Sequence, residues 1–334
     1  MRKKRFLFVA TLLGILIITG PLVGSSFAAE KPIVIRLGHV GFTGSLFEKT
    51  ANYFEKIVEA RSQYEVDVRV FGASQLGKDK EMMQAVRLGN LEMCLPSTVV
   101  PAVAPIFGFQ ELPFLFKDRR HVERALLGPT GWKLNEILKE KGYIILGYWE
   151  NGFRKITNNL RPITTPEDLK GIKLRTPKSP ARVKLFKTLG ANPTSMSFKE
   201  VFSALQQGVI DGQENPMAQI MSAKFNEVQK YLSISNHVYT PGYGLIGKKF
   251  FESLPPEIQY TLQIAAADTG NYARQTGKGM DTKLMKEAGK TMKINEIDRD
   301  AFMAASKSLY DDYPKEFGAD GKWILDHIMK AAKK

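Results

Sequence analysis

Apolar and polar residues alternate in two short stretches near the start of the chain, which is the spacing of strands with one buried face. Residues 33–37 and residues 66–70 show this alternation and predict the first two strands. Residues 46–58 and residues 82–88 carry apolar side chains at helical spacing, and Glu92 to Leu95 predicts a short third strand. Strands and helices therefore alternate, which predicts a parallel sheet with helices on both faces.

A second unit of strands and helices begins near residue 143. Tyr143 to Tyr148 is almost wholly apolar and predicts a buried strand, which leads into an expected turn at Asn151-Gly152. Residues 172–175 and Ile210-Asp211 predict two further strands, and a capping box at residues 197–200 predicts a short helix between them. Two α/β units without a flexible linker predict two lobes around a cleft that closes on a ligand.

A long helix is predicted in the last third of the chain. Pro255-Pro256-Glu257 is a helix start, and apolar residues at helical spacing continue from there to about Thr291. After the N-terminal segment, no stretch is apolar and long enough to predict a membrane span.

The first 28 residues have the pattern of a secretory signal peptide. Residues 2–5 are basic, residues 6–18 are mainly apolar, and Ser26-Phe27-Ala28 supplies small residues for a cleavage site. We expect cleavage before Ala29 and export of the mature chain, and an uncleaved N-terminal anchor is the alternative. Cys94 is the only cysteine, so no internal disulfide is expected, and its apolar neighbours predict a buried side chain.

The charge of the chain is strongly positive, with a formal value of +14. Four of the 48 basic residues and none of the 34 acidic residues lie in the signal segment, which leaves 44 against 34. The lysines are scattered and no nucleic-acid-binding motif is present, so we expect no nucleic-acid partner. A positive field that attracts small anions is one interpretation, and an ordinary solvated surface is the other.

Metal, cofactor and nucleophile motifs are absent from the sequence. The four histidines, His39, His121, His237 and His327, are far apart, so no transition-metal site and no cofactor are expected, although an oxygen-rich site for a hard cation stays open. There is no Gly-x-Ser-x-Gly elbow and no glycine-rich phosphate loop. The sequence therefore favours a binding protein over an enzyme.

Two arginines and an amide are candidates for binding a carboxylate. Arg175 ends a short strand just before Pro177, and Arg154 follows the expected turn at the mouth of a sheet, where ligands of α/β proteins bind. A guanidinium group can donate two parallel hydrogen bonds to a carboxylate, and Asn215 can both donate and accept. A surface or interdomain ion pair is the alternative for each arginine, and an ordinary turn residue is the alternative for Asn215. Phe198 either closes over the ligand or belongs to the core.

Six motifs, in order and correctly spaced, resemble the solute-binding proteins of tripartite ATP-independent periplasmic (TRAP) transporters. They are Ser74-Gln75-Leu76-Gly77, Leu112-Pro113-Phe114, Asn151-Gly152-Phe153-Arg154, Asp168-Leu169-Lys170-Gly171-Ile172-Lys173-Leu174-Arg175, Gly190-Ala191-Asn192-Pro193-Thr194 and Asp211-Gly212-Gln213-Glu214-Asn215-Pro216. The resemblance covers the whole mature chain. It implies a two-lobe periplasmic-binding-protein (Venus-flytrap) α/β fold with mixed or parallel sheets and a long helix that spans the hinge.

The resemblance also implies a site and partners. Arg175 is expected to pair with the ligand carboxylate, helped by Arg154 and Asn215, with Phe198 lining the pocket. The ligand is expected to be a C4-dicarboxylate, a sugar acid or a 2-oxo or hydroxy acid, delivered to ion-gradient-driven membrane subunits by a monomeric receptor. His39, Gln75, Ser97 and Tyr239 are added as residues that tune selectivity.

The lobe boundaries follow from the same interpretation. Residues 1–28 are the signal peptide, lobe I combines residues 29–150 with residues 241–281, and lobe II combines residues 151–240 with residues 282–334. Two alternatives stay open: an exported enzyme that uses Glu150 or Glu214, and the binding protein of an ATP-driven importer.

Overall fold

A computed structural model describes residues 32–333, so the predicted signal peptide lies outside the described residues. Across these residues, helices that combine the length and apolar character of a membrane span are not found. The strands are β1 (Ile33–Gly38), β2 (Val66–Phe71), β3 (Met93–Cys94), β4 (Tyr143–Asn158), β5 (Lys173–Thr176), β6 (Asn192–Ser195), β7 (Gly212–Pro216), β8 (Tyr231–Ile234), β9 (Tyr239–Gly247) and β10 (Lys293–Glu296).

Helices cover the faces of the strands. They are α1 (Leu46–Arg61), α2 (Asp79–Leu88), α3 (Arg119–Leu126), α4 (Pro129–Lys139), α5 (Pro180–Thr188), α6 (Val201–Gln206), α7 (Met217–Ser222), α8 (Lys248–Ser253), α9 (Pro256–Ala288), α10 (Arg299–Ala305) and α11 (Lys307–Ala331). Short 3-10 helices add residues 100–102, 105–111, 166–169, 198–200 and 225–227. Gly318 has non-helical dihedral angles, so α11 is kinked there.

Two sheets are joined through one strand. In the first sheet the strand order is β2-β1-β3-β9-β4, with β1 parallel to β2 and β3, and β9 antiparallel to both of its neighbours. In the second sheet β4 is followed by β7, β5 and β6, while β8 pairs with β4 and β10. Tyr143–Phe153 of β4 pairs with β9, and Arg154–Asn158 pairs with β7 and β8. The prediction of a mixed α/β fold is confirmed.

The expected turn at Asn151-Gly152 is wrong, because β4 continues through it. The pairing with β9 shifts register between Glu150 and Gly152, which is a bulge, and Gly152 has a φ of 121°. A bulge takes up one extra residue without ending the strand, and glycine is the residue that adopts this φ without steric cost. Arg154 therefore lies inside a strand and not at a loop.

The strand expected at Ile210-Asp211 is also misplaced, since the strand is β7, Gly212–Pro216. Asn215 therefore belongs to a strand between β4 and β5 and is not a turn residue. By contrast, β5 ends at Thr176, directly before Pro177, as predicted. The long helix is present as α9 and packs against α1, β4 and α7. It therefore contacts both the part of the chain that builds the first sheet and the part that builds the second.

Candidate functional site

A cavity of about 40 Å³ lies between the two sheets, and an adjoining cavity of about 90 Å³ opens beside it. We call the first one the arginine cavity. Its lining residues are Val40, Phe47, Asp79, Ser97, Thr98, Val99, Asn151, Arg154, Arg175, Pro177, Phe198, Asn215 and Gln219. Residues 40–99 belong to the part of the chain that builds the first sheet, and residues 154–219 to the part that builds the second. The cavity is therefore formed by both halves.

Arg175 reaches this cavity from the end of β5 and is 3% exposed. Its Nε and Nη2 groups both donate to the backbone oxygen of Met196, at 3.1 Å and 2.7 Å, and its Cζ lies 5.9 Å from the centre of the Phe198 ring. Within residues 32–333 no carboxylate forms an ion pair with it. Burial lowers the pKa of Arg175 to about 9, although the nearby Glu214 opposes the shift. The guanidinium is thus a buried cation that a ligand anion would stabilise.

Arg154 faces the same cavity from β4 but is already paired. Its Nε and Nη2 groups donate to the carboxylate of Glu214, and Nη2 also donates to Oδ1 of Asn215 at 2.9 Å. Asn215 is held in turn by donating to Oε1 of Gln213 at 2.6 Å. Burial would raise the pKa of Glu214, but Arg154 and Arg182 outweigh it and hold that pKa well below its ordinary value.

Behind Arg154 lies a buried charge network that sequence reasoning missed. Arg182 of α5 donates to the carboxylates of both Glu111 and Glu214, and all three side chains are almost completely buried. His237 Nε2 lies 3.3 Å from Glu214, and burial lowers the pKa of this histidine to about 4, so it is neutral at pH 7. Arg182 gave no sequence signal, because an arginine in the first turn of a helix is usually a surface residue.

Asp79 is another residue that the sequence did not single out. It is the first residue of α2 and lines both the arginine cavity and the adjoining one. Burial raises the pKa of Asp79 to about 6, with Arg175 opposing the shift. A carboxyl group that is close to titration therefore faces the same space as Arg175.

Amide and hydroxyl groups complete the lining. Asn151 donates to the hydroxyl groups of Ser97, at 3.2 Å, and Thr240, at 3.3 Å, and it accepts from Nε2 of Gln219 at 3.2 Å. The side-chain oxygen of Gln219 is buried without a hydrogen-bond partner among the described residues. These groups provide donors and acceptors that suit the hydroxyl groups of a ligand.

Five of the predicted site residues meet in this cavity: Arg175, Arg154, Asn215, Phe198 and Ser97. The structure does not bring the other three to its lining.

His39 is fully buried and packs edge-on against Phe47, with a ring-centre distance of 6.3 Å, so it lies behind a lining residue. Gln75 is exposed on the loop after β2. Tyr239 packs against Phe116 and Phe153 and donates to Glu150 at 3.3 Å, and it is not among the residues that line the arginine cavity.

One ion pair crosses the mouth of the adjoining cavity. Lys78, directly before α2, is 2.8 Å from the carboxylate of Glu200, which follows Phe198 in the second half. Their side chains are 33% and 43% exposed, so solvent screens the pair and its contribution to stability is small. Its position nevertheless joins the two halves where the cavity meets solvent.

The described residues offer no ready-made set of ligands for a metal ion. Within residues 32–333 there is no group of three or more His, Cys, Asp or Glu side chains placed to hold a metal ion. Asp79 lines the cavity, and the buried acids behind it, Glu214 and Glu111, are engaged by arginines.

Two sheets joined through β4, with a polar and cationic cavity between them, define a two-lobe solute-binding protein. Residues 37–316 match the bacterial extracellular solute-binding proteins, family 7, and the chain belongs to this family. Its members include periplasmic binding proteins of TRAP systems, so the resemblance deduced from the six motifs is confirmed.

The relatives include proteins whose ligands are named. The chain is 38% identical to the 2,3-diketo-L-gulonate-binding periplasmic protein YiaO of Escherichia coli, over 91% of this chain and 94% of that protein. It is 35% identical to the C4-dicarboxylate-binding periplasmic protein DctP of Rhodobacter capsulatus, over 91% of this chain and 95% of that protein. The crystal structure of the sugar acid binding protein DctPAm of Advenella mimigardefordensis with galactonate superimposes with a TM-score of 0.86, at 35% identity, over 90% and 99% of the two chains.

Proposed function

We propose that this protein is the periplasmic receptor of a TRAP transporter and that its ligand is a hydroxylated monocarboxylate of the sugar-acid class. The observation that carries the proposal is Arg175, a buried guanidinium that faces the cavity without a carboxylate partner in the described chain. A ligand carboxylate would pair with Arg175. Arg154 and Asn215 line the same cavity and could form further hydrogen bonds with that carboxylate.

The charges around the cavity support one carboxylate and not two. Arg154, Arg175 and Arg182 against Glu111 and Glu214 leave one positive charge, because His237 is neutral. Asp79 competes with the ligand for that charge. A second ligand carboxylate would have to lie in a space that Asp79 also faces, and like charges in a buried site repel strongly.

Hydroxyl groups are the better match for the rest of the lining. Ser97, Thr98, Asn151 and Gln219 offer neutral donors and acceptors at one end of the cavity. Relatives that bind a diketogulonate and a galactonate favour the same class of ligand, whereas the C4-dicarboxylate-binding relative favours the alternative. The ligand screen below decides between the two classes.

Closure of the lobes is the expected consequence of binding. The lobe boundaries that we propose, at residues 150/151 and 240/241, fall in β4 and β9, the two strands paired across the junction of the sheets. Closure excludes water, which strengthens the pairing of Arg175 with the ligand because the local dielectric constant falls. The ligand stabilises the closed state only by contacting it better than the open state.

Delivery and location complete the proposal. The signal peptide is removed before Ala29, and the mature protein acts in the periplasm as a monomer that carries no cofactor and catalyses no reaction. It hands its ligand to the membrane subunits of the transporter, which use an ion gradient. Recovery of the bound acid unchanged after prolonged incubation tests the absence of turnover.

A thermal-shift screen of mature protein, residues 29–334, tests the ligand class. The panel contains galactonate, gulonate, glucuronate, succinate and pyruvate, after dialysis under conditions that remove bound acids. We expect a sugar acid to stabilise the protein by about 2.7 kcal/mol at a hundredfold excess over its dissociation constant. Arg175→Met should abolish the shift, and Arg69→Met, an exposed arginine on β2, should retain it. A large shift with succinate alone would contradict the ligand class, and no shift with any carboxylate would contradict the receptor.

A further inference from the structure

A larger cavity, of about 770 Å³, lies on the other side of β4 from the arginine cavity. Phe153 lines this larger cavity, whereas Arg154 lines the arginine cavity, because successive side chains of a strand point to opposite faces. We call it the rear cleft. Its volume falls within the range of about 300–1,000 Å³ that small-molecule sites occupy.

The walls of the rear cleft come from both halves of the molecule. One wall consists of α3, the residues just before it, and the middle of α9. The other consists of residues 234–236, at the end of β8, and residues 296–299, at the end of β10. Since β8 and β10 belong to the second sheet, a change in the angle between the lobes must change the width of this cleft.

Positive charge accumulates along these walls. Lys117, Arg120, Lys278 and Arg299 line the cleft, and within residues 32–333 none of the four forms an ion pair. Arg299 instead lies over the ring of Phe114, with its Cζ 5.1 Å from the ring centre. An arginine on an aromatic face keeps its N–H groups free at the ring edge for an anion.

The other basic side chains of the cleft are paired. Arg119 is paired with Glu150 and Asp281, at 2.6 Å each, and Arg274 is paired with Glu123 at 3.2 Å.

Two lining acids, Asp118 and Glu296, form no ion pair within residues 32–333, and Asp118 accepts a hydrogen bond from the backbone N–H of His121 at the start of α3. Four unpaired cations against two unpaired acids leave the cleft with a net positive charge.

We propose that the rear cleft binds a soluble polyvalent anion, of the polyphosphate or polycarboxylate class, that bridges its two walls. Lys117, Arg120 and Lys278 bind it from one wall and Arg299 from the other. A singly charged anion cannot neutralise both walls, whereas an anion with charged groups at both ends can.

Because the two walls belong to different halves, the bound anion favours one angle between the lobes. Binding in the rear cleft and binding in the arginine cavity are therefore coupled, and each changes the affinity of the other by the same factor. The rear-cleft binding itself does not rest on the proposed function.

Inorganic pyrophosphate is the probe for this site. We expect it to raise the melting temperature of the mature protein in buffers whose ionic strength is matched with sodium chloride. The shift should be lost in Arg120→Gln/Arg299→Gln. It should persist in Lys249→Gln/Lys290→Gln, which removes two charges from exposed lysines outside the cleft. Equal shifts in all three proteins would overturn the proposal.

Two further measurements distinguish the rear cleft from the arginine cavity and from a membrane surface. Arg175→Met should abolish the response to the organic acid but retain the response to pyrophosphate, and loss of both would place pyrophosphate in the arginine cavity and overturn the proposal. Vesicles that contain phosphatidylglycerol test a lipid headgroup as the source of the phosphate. Co-sedimentation that requires Arg120 and Arg299 would overturn a soluble anion as the occupant, and no co-sedimentation would support it.

Discussion

Arg154 and Arg175 face the same cavity from strands that flank β7, yet only Arg154 has a carboxylate partner, Glu214. Arg175 donates to a backbone oxygen instead. A buried cation without a counter-ion is destabilising until an anion arrives, whereas a paired cation is already stabilised. The two arginines are thus expected to respond differently to mutation.

Arg175→Met should weaken binding of the organic acid by about 2–5 kcal/mol, the cost of losing one partner of a buried charge pair. The free energy of unfolding of the ligand-free protein should not fall, because the mutation removes an uncompensated buried charge. Calorimetric titration and urea unfolding measure the two effects. Arg175→Lys should lose most of the affinity, since an ammonium group cannot form two parallel hydrogen bonds.

Arg154→Met is the matched comparison. This mutation leaves Glu214 with Arg182 as its remaining arginine partner, so the ligand-free protein should lose stability as well as affinity. If both variants lowered the free energy of unfolding equally, the distinction between a paired and an unpaired arginine would be wrong.

Binding of the acid should strengthen as the pH falls from 8 to 5. Asp79 has a pKa raised to about 6 and faces Arg175, so a bound carboxylate raises that pKa further and binding takes up a proton. Asp79 becomes increasingly protonated as the pH falls below 6, so the affinity for the acid rises as the pH falls. His39 and His237 have pKa values lowered to about 4 and do not titrate in this window.

Asp79→Asn provides the control for this pH dependence. It should flatten the profile between pH 8 and pH 5, and it should improve the affinity for succinate more than the affinity for a sugar acid, because a repulsive charge is removed. Calorimetric titrations in buffers of different ionisation enthalpy report the proton uptake directly. A profile that keeps its slope in Asp79→Asn would assign the titrating group elsewhere.

A charge cycle on Arg182 and Glu111 tests the buried network. Arg182→Met removes one positive charge, and breaking a buried pair in this way costs about 3–5 kcal/mol of stability. The affinity for the acid should fall as well, since the network then has no excess positive charge. The double variant Arg182→Met/Glu111→Leu restores the balance, so both quantities should recover in part. Equal affinities in the single and double variants would show that packing, not charge, is what the pair provides.

The bulge in β4 is a place where stability depends on one glycine. Gly152 has a φ of 121°, and an added Cβ atom would lie 3.3 Å from Pro216. Gly152→Ala should therefore lower the free energy of unfolding by about 1–3 kcal/mol. Gly279→Ala, at a site in α9 with nothing within 4 Å of the added atom, should raise it by about 0.5–1 kcal/mol. Urea unfolding of the two variants compares them directly, and equal effects would exclude backbone strain at the bulge.

Local sequence patterns predicted the residues of the arginine cavity better than they predicted the buried charge network behind them. Arg175 could be found because Pro177 fixes where its strand ends, which places the side chain at a strand end. The pair of Glu111 and Arg182 could not be found, since the residues are 71 positions apart and the sequence holds no signal for a contact of that range. Its existence depends on how the 3-10 helix at residues 105–111 packs on α5.

The incorrect prediction of a turn at Asn151-Gly152 also results from contacts between residues that are far apart in the sequence. Asn151-Gly152 is a common turn pair, but β9 supplies hydrogen-bond partners on both sides of it, so the strand absorbs the pair as a bulge. Tyr239, which we expect to tune selectivity, does not line the arginine cavity: its hydroxyl group donates to Glu150 and its ring packs against Phe153, which lines the rear cleft. Which face of a strand a residue occupies depends on register, and a bulge changes it.

Strand β4, which both sheets share, also determines how the protein unfolds. Because β4 supplies hydrogen bonds to β9 in one sheet and to β7 and β8 in the other, neither sheet is complete without it. The polypeptide crosses between the halves more than once, so no single cut yields two fragments that each hold a full sheet. Denaturation should consequently be one cooperative event, and neither half should persist as a separately folded intermediate.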